Sequence, residues 1–118
     1  MDRREMTRRA EAAKREPRDE MSDVRATIDA LDDELVALLA RRQRQIERAA
    51  AVKPSLGIPA RVPERVDEVL ARVAAASERE GLETELGQAL WRALIEWSIG
   101  YEERLMGDRE QSETPSGA

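Results

Sequence analysis

The sequence contains no cysteine, no histidine and no phenylalanine. Without cysteine there are no disulfides and no thiol nucleophile, and without histidine as well the usual transition-metal ligands are gone. The lack of histidine also removes the ordinary general base of neutral pH. Aromatic residues make up only 3% of the chain, so any core must be built from Leu, Val, Ile and Ala. No apolar run approaches the roughly 20 residues that cross a bilayer, which argues against a membrane partner. The N-terminus has no apolar signal segment, and the expectation is a cytoplasmic protein. Chemistry, if present, is left to Arg, Lys, Glu and hydroxyl groups.

Charge is what the chain has in abundance. Charged residues are 38% of the sequence, and the net charge of −5 argues against nucleic acid as the main partner. A chain of 118 residues is one domain at most and buries a modest core by itself. Residues 1–21 are dense in both signs and nearly free of large apolar residues, as expected of a flexible, disordered or loosely helical extension. Residues 22–107 carry the pattern of a helical domain, and residues 108–118 form a polar tail expected to be flexible.

Within the patterned region the fold class reads as all-α, with three helices and a long first one. The first is expected from Ser22 or Asp23, either of which can cap it, to Lys53, because Pro54 disfavours the α conformation in the residue before it. A helix of about 30 residues would be about 45 Å long, which suits pairing with a second copy. The segment from Pro54 to Val62 holds two prolines and a glycine and reads as a structured connection. A second helix is predicted from Pro63 to about Glu80, burying Val66, Val69, Leu70 and Val73, and ending at Gly81. A third is predicted from about Glu83 to Met106, ending at Gly107. It carries one stripe of Leu86, Leu90, Leu94, Trp97, Tyr101 and Leu105, and another of Trp91, Ile95, Ser98 and Glu102. The aromatic members are expected to pack in the core or in a dimer.

The first helix holds the feature that points to function. Val24, Ile28, Leu31, Leu35 and Leu38 fall on one face at alternating steps of four and three. The same stripe continues through Arg42, Ile46, Ala49 and Lys53, so a seam expected to be buried acquires cations without changing face. A buried cation is costly unless an anion meets it. Arg42 and Lys53 are within about 20° of each other around the axis, whereas Arg25 is about 100° away and cannot serve the same pocket beside that helix. Arg25 is then free to serve a neighbouring chain. Arg65, opening the second helix, is a further cation, and Ser98 and Glu102 are one helical turn apart. Several cations with one Glu suit a small dicarboxylate, since Arg grips carboxylates with two bonds.

The run Val24-Arg25-Ala26-Thr27-Ile28-Asp29-Ala30-Leu31-Asp32, then Leu38-Leu39-Ala40-Arg41-Arg42 and Lys53, resembles the first helix of the all-helical chorismate mutases. Pro63-Glu64-Arg65-Val66 and Leu94-Ile95-Glu96-Trp97-Ser98, followed by Glu102, continue the likeness over residues 22 to 106. The resemblance implies an intertwined homodimer with two equivalent sites and no cofactor or metal. By position, Arg25 would reach the partner's site, and Arg42 would hold a carboxylate in its own. Lys53 would donate to the ether oxygen of the breaking C–O bond, and Arg65 would assist carboxylate binding. Ser98 would sit near the ring carboxylate, and Glu102 would face the ether oxygen from the other side.

Three departures from the family pattern bear on the substrate. Glu102 stands where many members have Gln, and a carboxylate there serves the ether oxygen only when protonated. Val66 stands where typical mutases have a Glu for the ring hydroxyl, and the segments Ile58-Pro59-Ala60 and Pro63-Glu64-Arg65-Val66 look more like the isochorismate pyruvate lyase branch. Pro54, directly after Lys53, would disturb a Lys53 loop. The alternatives to a chorismate mutase are therefore an isochorismate pyruvate lyase, a 4-amino-4-deoxychorismate mutase, or a non-catalytic helical adaptor. In the last case Lys53 is a C-terminal helix cation, Arg25 and Arg65 are surface ion-pair residues, and Ser98 is a packing residue.

Overall fold

The computed structural model describes residues 2–6, 8 and 16–113, with side chains as far as Gly107. Three long helices account for most of it: α1 (Pro17–Leu56), α2 (Pro63–Glu80) and α3 (Thr84–Glu113). No strand occurs among the described residues. The fold is all-α. The chain separates into two compact units, Met1–Ala40 and Arg41–Ala118.

Helix α1 begins at Pro17, five residues ahead of Ser22. Proline is well suited to a first helical position because its missing N–H would have had no partner there. Asp19 and Glu20 lie in the first turn, where negative charge complements the helix dipole. The expected extension is thus helical at residues 3–6 and from 17 onward, while residues 1, 7 and 9–15 fall outside the described set.

At its other end α1 runs past Lys53 and carries Pro54 within its last turn. The local bias of a pre-proline residue is overcome by the closure that follows. Gly57 adopts φ 66°, its N–H donates to the Pro54 carbonyl (3.2 Å), and the Ile58 N–H reaches the Lys53 carbonyl (3.0 Å). This pair of bonds ends a helix by satisfying its last carbonyls, and glycine bears the left-handed residue without a Cβ penalty. Lys53 is consequently a helical residue and not part of a loop. Helix α2 spans the predicted residues and closes in the same way, with Gly81 at φ 72° and Leu82 N–H on the Ser77 carbonyl (2.8 Å).

Helix α3 continues six residues beyond Gly107. An internal glycine costs about 1 kcal/mol against alanine. Neighbouring Leu105, Met106, Arg109, Glu110 and Gln111 outweigh that cost. Of the expected flexible tail, Asp108 to Glu113 is therefore helical, and residues 114–118 lie outside the described set.

In the second unit α3 folds back on α2. Ala60, Ile95 and Ile99 form the buried cluster, flanked by Val66, Val69, Leu70, Trp91 and Met106. The inward face of α3 is thus the stripe of Trp91, Ile95, Ser98 and Glu102. The other stripe is largely uncovered in the single chain: Leu86, Leu90 and Trp97 are all about half exposed. Trp97 stacks on Tyr101 with ring centroids 4.9 Å apart, and the Arg104 guanidinium lies over the Tyr101 ring at 5.5 Å. The apolar seam of α1 in the first unit is likewise exposed, from 43% at Val24 to 55% at Leu35 and Leu38. The seam that the sequence marks as buried is thus exposed among the described residues.

Helices α2 and α3 approach each other closely at Gly87. A Cβ there would collide with the Oγ of Ser77, which is buried and donates to the Val73 carbonyl (2.7 Å). Gly87→Ala is expected to lower stability by about 1–3 kcal/mol through overpacking, as read from the urea midpoint of unfolding.

Candidate active site

The second unit contains a cavity of about 260 Å³ bounded by all three helices and the α1–α2 connection. From α1 come Arg42, Ile46, Ala49 and Lys53, the continuation of the seam. Steps of four, three and four keep these side chains on one face. The connection supplies Ala60 and Val62; α2 supplies Arg65, Val66 and Val69; α3 supplies Ile95, Ser98, Ile99 and Glu102. The wall is aliphatic and the polar groups are few, as in sites that hold a small molecule in one orientation.

Lys53 is the best-anchored cation. Its Nζ donates to Glu102 Oε2 at 2.7 Å and to the Ala60 carbonyl at 3.0 Å. The two side chains are 19% and 5% exposed, so this ion pair is largely shielded from water. An ammonium has three N–H donors. With two committed, the third remains for a ligand in the cavity.

Arg42 Nη1 donates to Ser98 Oγ at 2.7 Å, and Ser98 Oγ donates to the Leu94 carbonyl at 2.7 Å. The serine proton is thus directed at its own helix, and its lone pair faces the guanidinium. Ser98 orients Arg42 in this arrangement. Burial lowers the Arg42 pKa from its ordinary value, and the positive charge of Arg65 lowers it further, with Glu102 acting in the opposite direction. A partly desolvated guanidinium beside a second one favours an incoming anion. Arg65 is exposed at the rim, where it donates to Glu68 Oε1 at 2.8 Å one turn along α2. That pair is solvent-screened and readily exchanged for another carboxylate.

Five of the six residues singled out from the sequence (Arg42, Lys53, Arg65, Ser98 and Glu102) therefore line one cavity. Arg25 belongs to the other compact unit, where it is exposed. Sequence reasoning missed two contributions. The Ala60 carbonyl on Lys53 is a backbone group and leaves no trace in residue identity. Ile99 lies next to the recognised stripe on α3, and only the inward rotation of that helix gives it to the cavity. Among the described residues no cluster of carboxylates suited to a metal ion occurs, and no helix is long and apolar enough to cross a membrane.

The ion pair makes a stability prediction of its own. Removing one member of a buried pair strands the other charge. Lys53→Met is expected to destabilise the chain by about 3 kcal/mol. Adding Glu102→Leu to Lys53→Met should recover most of that loss. Urea unfolding of the two single variants and the double variant measures the coupling; additive losses would mean that the pair is not coupled.

Comparison with known proteins gives the family. Residues 24–103 match the family model described as chorismate mutase type II. The chain is 23% identical over 92 residues to a chorismate mutase of Methanocaldococcus jannaschii, covering 78% of this chain and 93% of the relative. It is 35% identical over 80 residues to an isochorismate pyruvate lyase of Pseudomonas aeruginosa, covering 67% of this chain and 77% of that protein. A T-protein of Haemophilus influenzae is 30% identical over 82 residues, which is 70% of this chain but only 22% of the longer relative. With more than half its length matched to the family model, and with a cavity built from the residues that carry the likeness, the chain belongs to the type II chorismate mutase family.

Proposed function

We propose that the protein is a chorismate mutase, rearranging chorismate to prephenate in the cavity of residues 41–107, and that residues 22–107 form its functional domain. The observation that carries this reading is the ammonium of Lys53, fixed by Glu102 and Ala60 among aliphatic walls, with Arg42 and Arg65 lining the same cavity. The substrate is a dianion with one carboxylate on its ring and one on its enolpyruvyl arm. In the rearrangement a C–O bond breaks as a C–C bond forms, and no proton needs to move. The work is to hold the arm over the ring and to stabilise negative charge gathering on the ether oxygen.

The roles follow from that requirement. Arg42 grips one carboxylate from within the site, held in direction by Ser98, which lies at the ring-carboxylate end. Arg65 exchanges Glu68 for a substrate carboxylate at the rim. The third N–H of Lys53 is directed to the ether oxygen, and Glu102 faces the same oxygen from the other side while holding the ammonium in place. The aliphatic residues from all three helices keep water out and favour the compact conformer. Neither cofactor nor metal is required for such a reaction.

The second carboxylate would be shared between Arg65, which assists at the rim, and Arg25 of a second copy. Fifteen large apolar side chains are at least 41% exposed among the described residues, including the α1 seam and the outer α3 stripe. Apolar stripes exposed to this extent on each unit mark association surfaces. An intertwined homodimer would cover them and would bring each Arg25 to the site of the other subunit.

One observation favours a neighbouring substrate. Val66 lines the cavity and Glu102 is its one carboxylate, so no acid is left over to bind a ring hydroxyl. This and the likeness to the isochorismate pyruvate lyase support isochorismate as an alternative substrate, giving salicylate and pyruvate. Product identification separates the two reactions: prephenate from chorismate, or salicylate from isochorismate.

With the correct substrate, Arg42→Ala and Lys53→Ala are each expected to lower kcat/KM at least about 100-fold, while Glu102→Gln keeps turnover because its amide oxygen still accepts from Lys53 and its NH2 adds a donor. An adaptor would show no turnover in the wild-type chain and would tolerate Arg42→Ala and Lys53→Ala without change. Mixing Arg25→Ala with Arg42→Ala protein tests the shared site. A mixed dimer rebuilds one intact site and empties the other, so random exchange restores about a quarter of wild-type activity from two inactive parents. Equal inactivity after exchange would argue that Arg25 and Arg42 act on the same side of the dimer.

A further inference from the structure

Outside the cavity, a side-chain ion pair ties the α1–α2 connection to the outer face of α3. Arg61 Nη1 donates to Glu96 Oε1 at 2.8 Å and Arg61 Nη2 to Glu96 Oε2 at 2.7 Å. Two parallel bonds from a planar fork fix orientation as well as distance. The pairing raises the pKa of the Arg61 guanidinium and lowers that of the Glu96 carboxyl.

The position of this clasp in the chain is what gives it meaning. Arg61 follows Ala60, and Ala60 is doubly engaged. Its methyl is buried with Ile95 and Ile99, and its carbonyl accepts the Lys53 ammonium at 3.0 Å. The peptide between residues 60 and 61 thus carries the oxygen that aims Lys53, and it lies outside any helix, between Pro59 and Pro63. Burial of a single methyl leaves the peptide plane able to turn. A second hold on the residue after it does not. On α3, Glu96 adjoins Ile95, so the same stretch of helix supplies both the inner and the outer hold.

We propose that Arg61 and Glu96 are positioning residues, whose ion pair keeps the Ala60 carbonyl turned inward and thereby aims Lys53 beside Glu102. This rests on the reading that Lys53 serves the reacting oxygen. The Arg61 and Glu96 side chains are 49% and 59% exposed. A pair so exposed adds little to global stability. Its effect is therefore expected on the lysine and not on the unfolding midpoint.

The test uses the full chain with Arg61→Ala, Glu96→Ala, the double variant, and the exchange Arg61→Glu with Glu96→Arg. Each single variant is expected to lower kcat about threefold to fivefold, with KM within about twofold because the carboxylate grips are untouched. The double variant falls no further than a single one, and the exchange recovers more than half of the lost rate. Unchanged kcat, additive losses, or an effect on KM alone would overturn the proposal. A second readout needs no turnover. Acylation of Lys53 by acetic anhydride, followed by peptide mass against Lys14, the chain's other lysine, is expected to be faster in Arg61→Ala. If wild-type protein converts neither chorismate nor isochorismate, the functional reading fails and acylation alone decides: an equal rate in both proteins overturns the clasp, and a faster rate in the variant sustains it.

Discussion

Lys53 joins parts of the chain that are far apart in sequence. Its ammonium bridges the carboxylate of Glu102, 49 residues on in α3, and the carbonyl of Ala60 in the connection after α1. A cation taken this far from water is tolerated only when its hydrogens find oxygens. That constraint specifies much of what surrounds it. The last turn of α1 must stay helical through Pro54, the connection must turn its carbonyl inward, and α3 must present Glu102 and not the neighbouring Glu103. The seam of α1 can then change from aliphatic to cationic without leaving the same face.

The electrostatic design of the cavity is an unbalanced one. Three cations line it against a single carboxylate, and that carboxylate is already engaged by Lys53. The Arg42 guanidinium is held by burial and by Arg65 in a state that an arriving anion would relieve. Sites of this kind are preorganised, because the donors are in place before charge develops and need not reorient as it does. The arrangement suits a reaction that moves electrons but no protons, and the absence of histidine from the chain fits such chemistry without difficulty.

The exposed apolar surface has a different origin. A single chain buries Ala50, Ala60, Ile95 and Ile99 as its apolar core, among the described residues. That is little to set against the conformational entropy of some hundred ordered residues. The seam of α1 and the outer stripe of α3 hold much of the large apolar surface that the single chain leaves exposed. Trp97, stacked on Tyr101, belongs to that outer stripe and not to the core of its own chain.

Much of this was legible in the residues. Periodicity placed three helices, Gly81 closed α2, and the steps between Arg42, Ile46, Ala49 and Lys53 put cations on the seam. Side-chain direction along a helix depends on local geometry alone, so spacing suffices to assign a face. The termini of α1 and the end of α3 were less legible. Pro54 and Gly107 are local signals, and local signals yield when tertiary bonds or strong helix formers on either side outweigh about 1 kcal/mol. Which stripe of α3 turns inward, that Ser98 directs its proton to Leu94, and that Ala60 offers its carbonyl to Lys53 were decided only by tertiary packing. These depend on the rotation of one helix against another and on the orientation of a single peptide plane, and neither is encoded in the identity or spacing of any one residue.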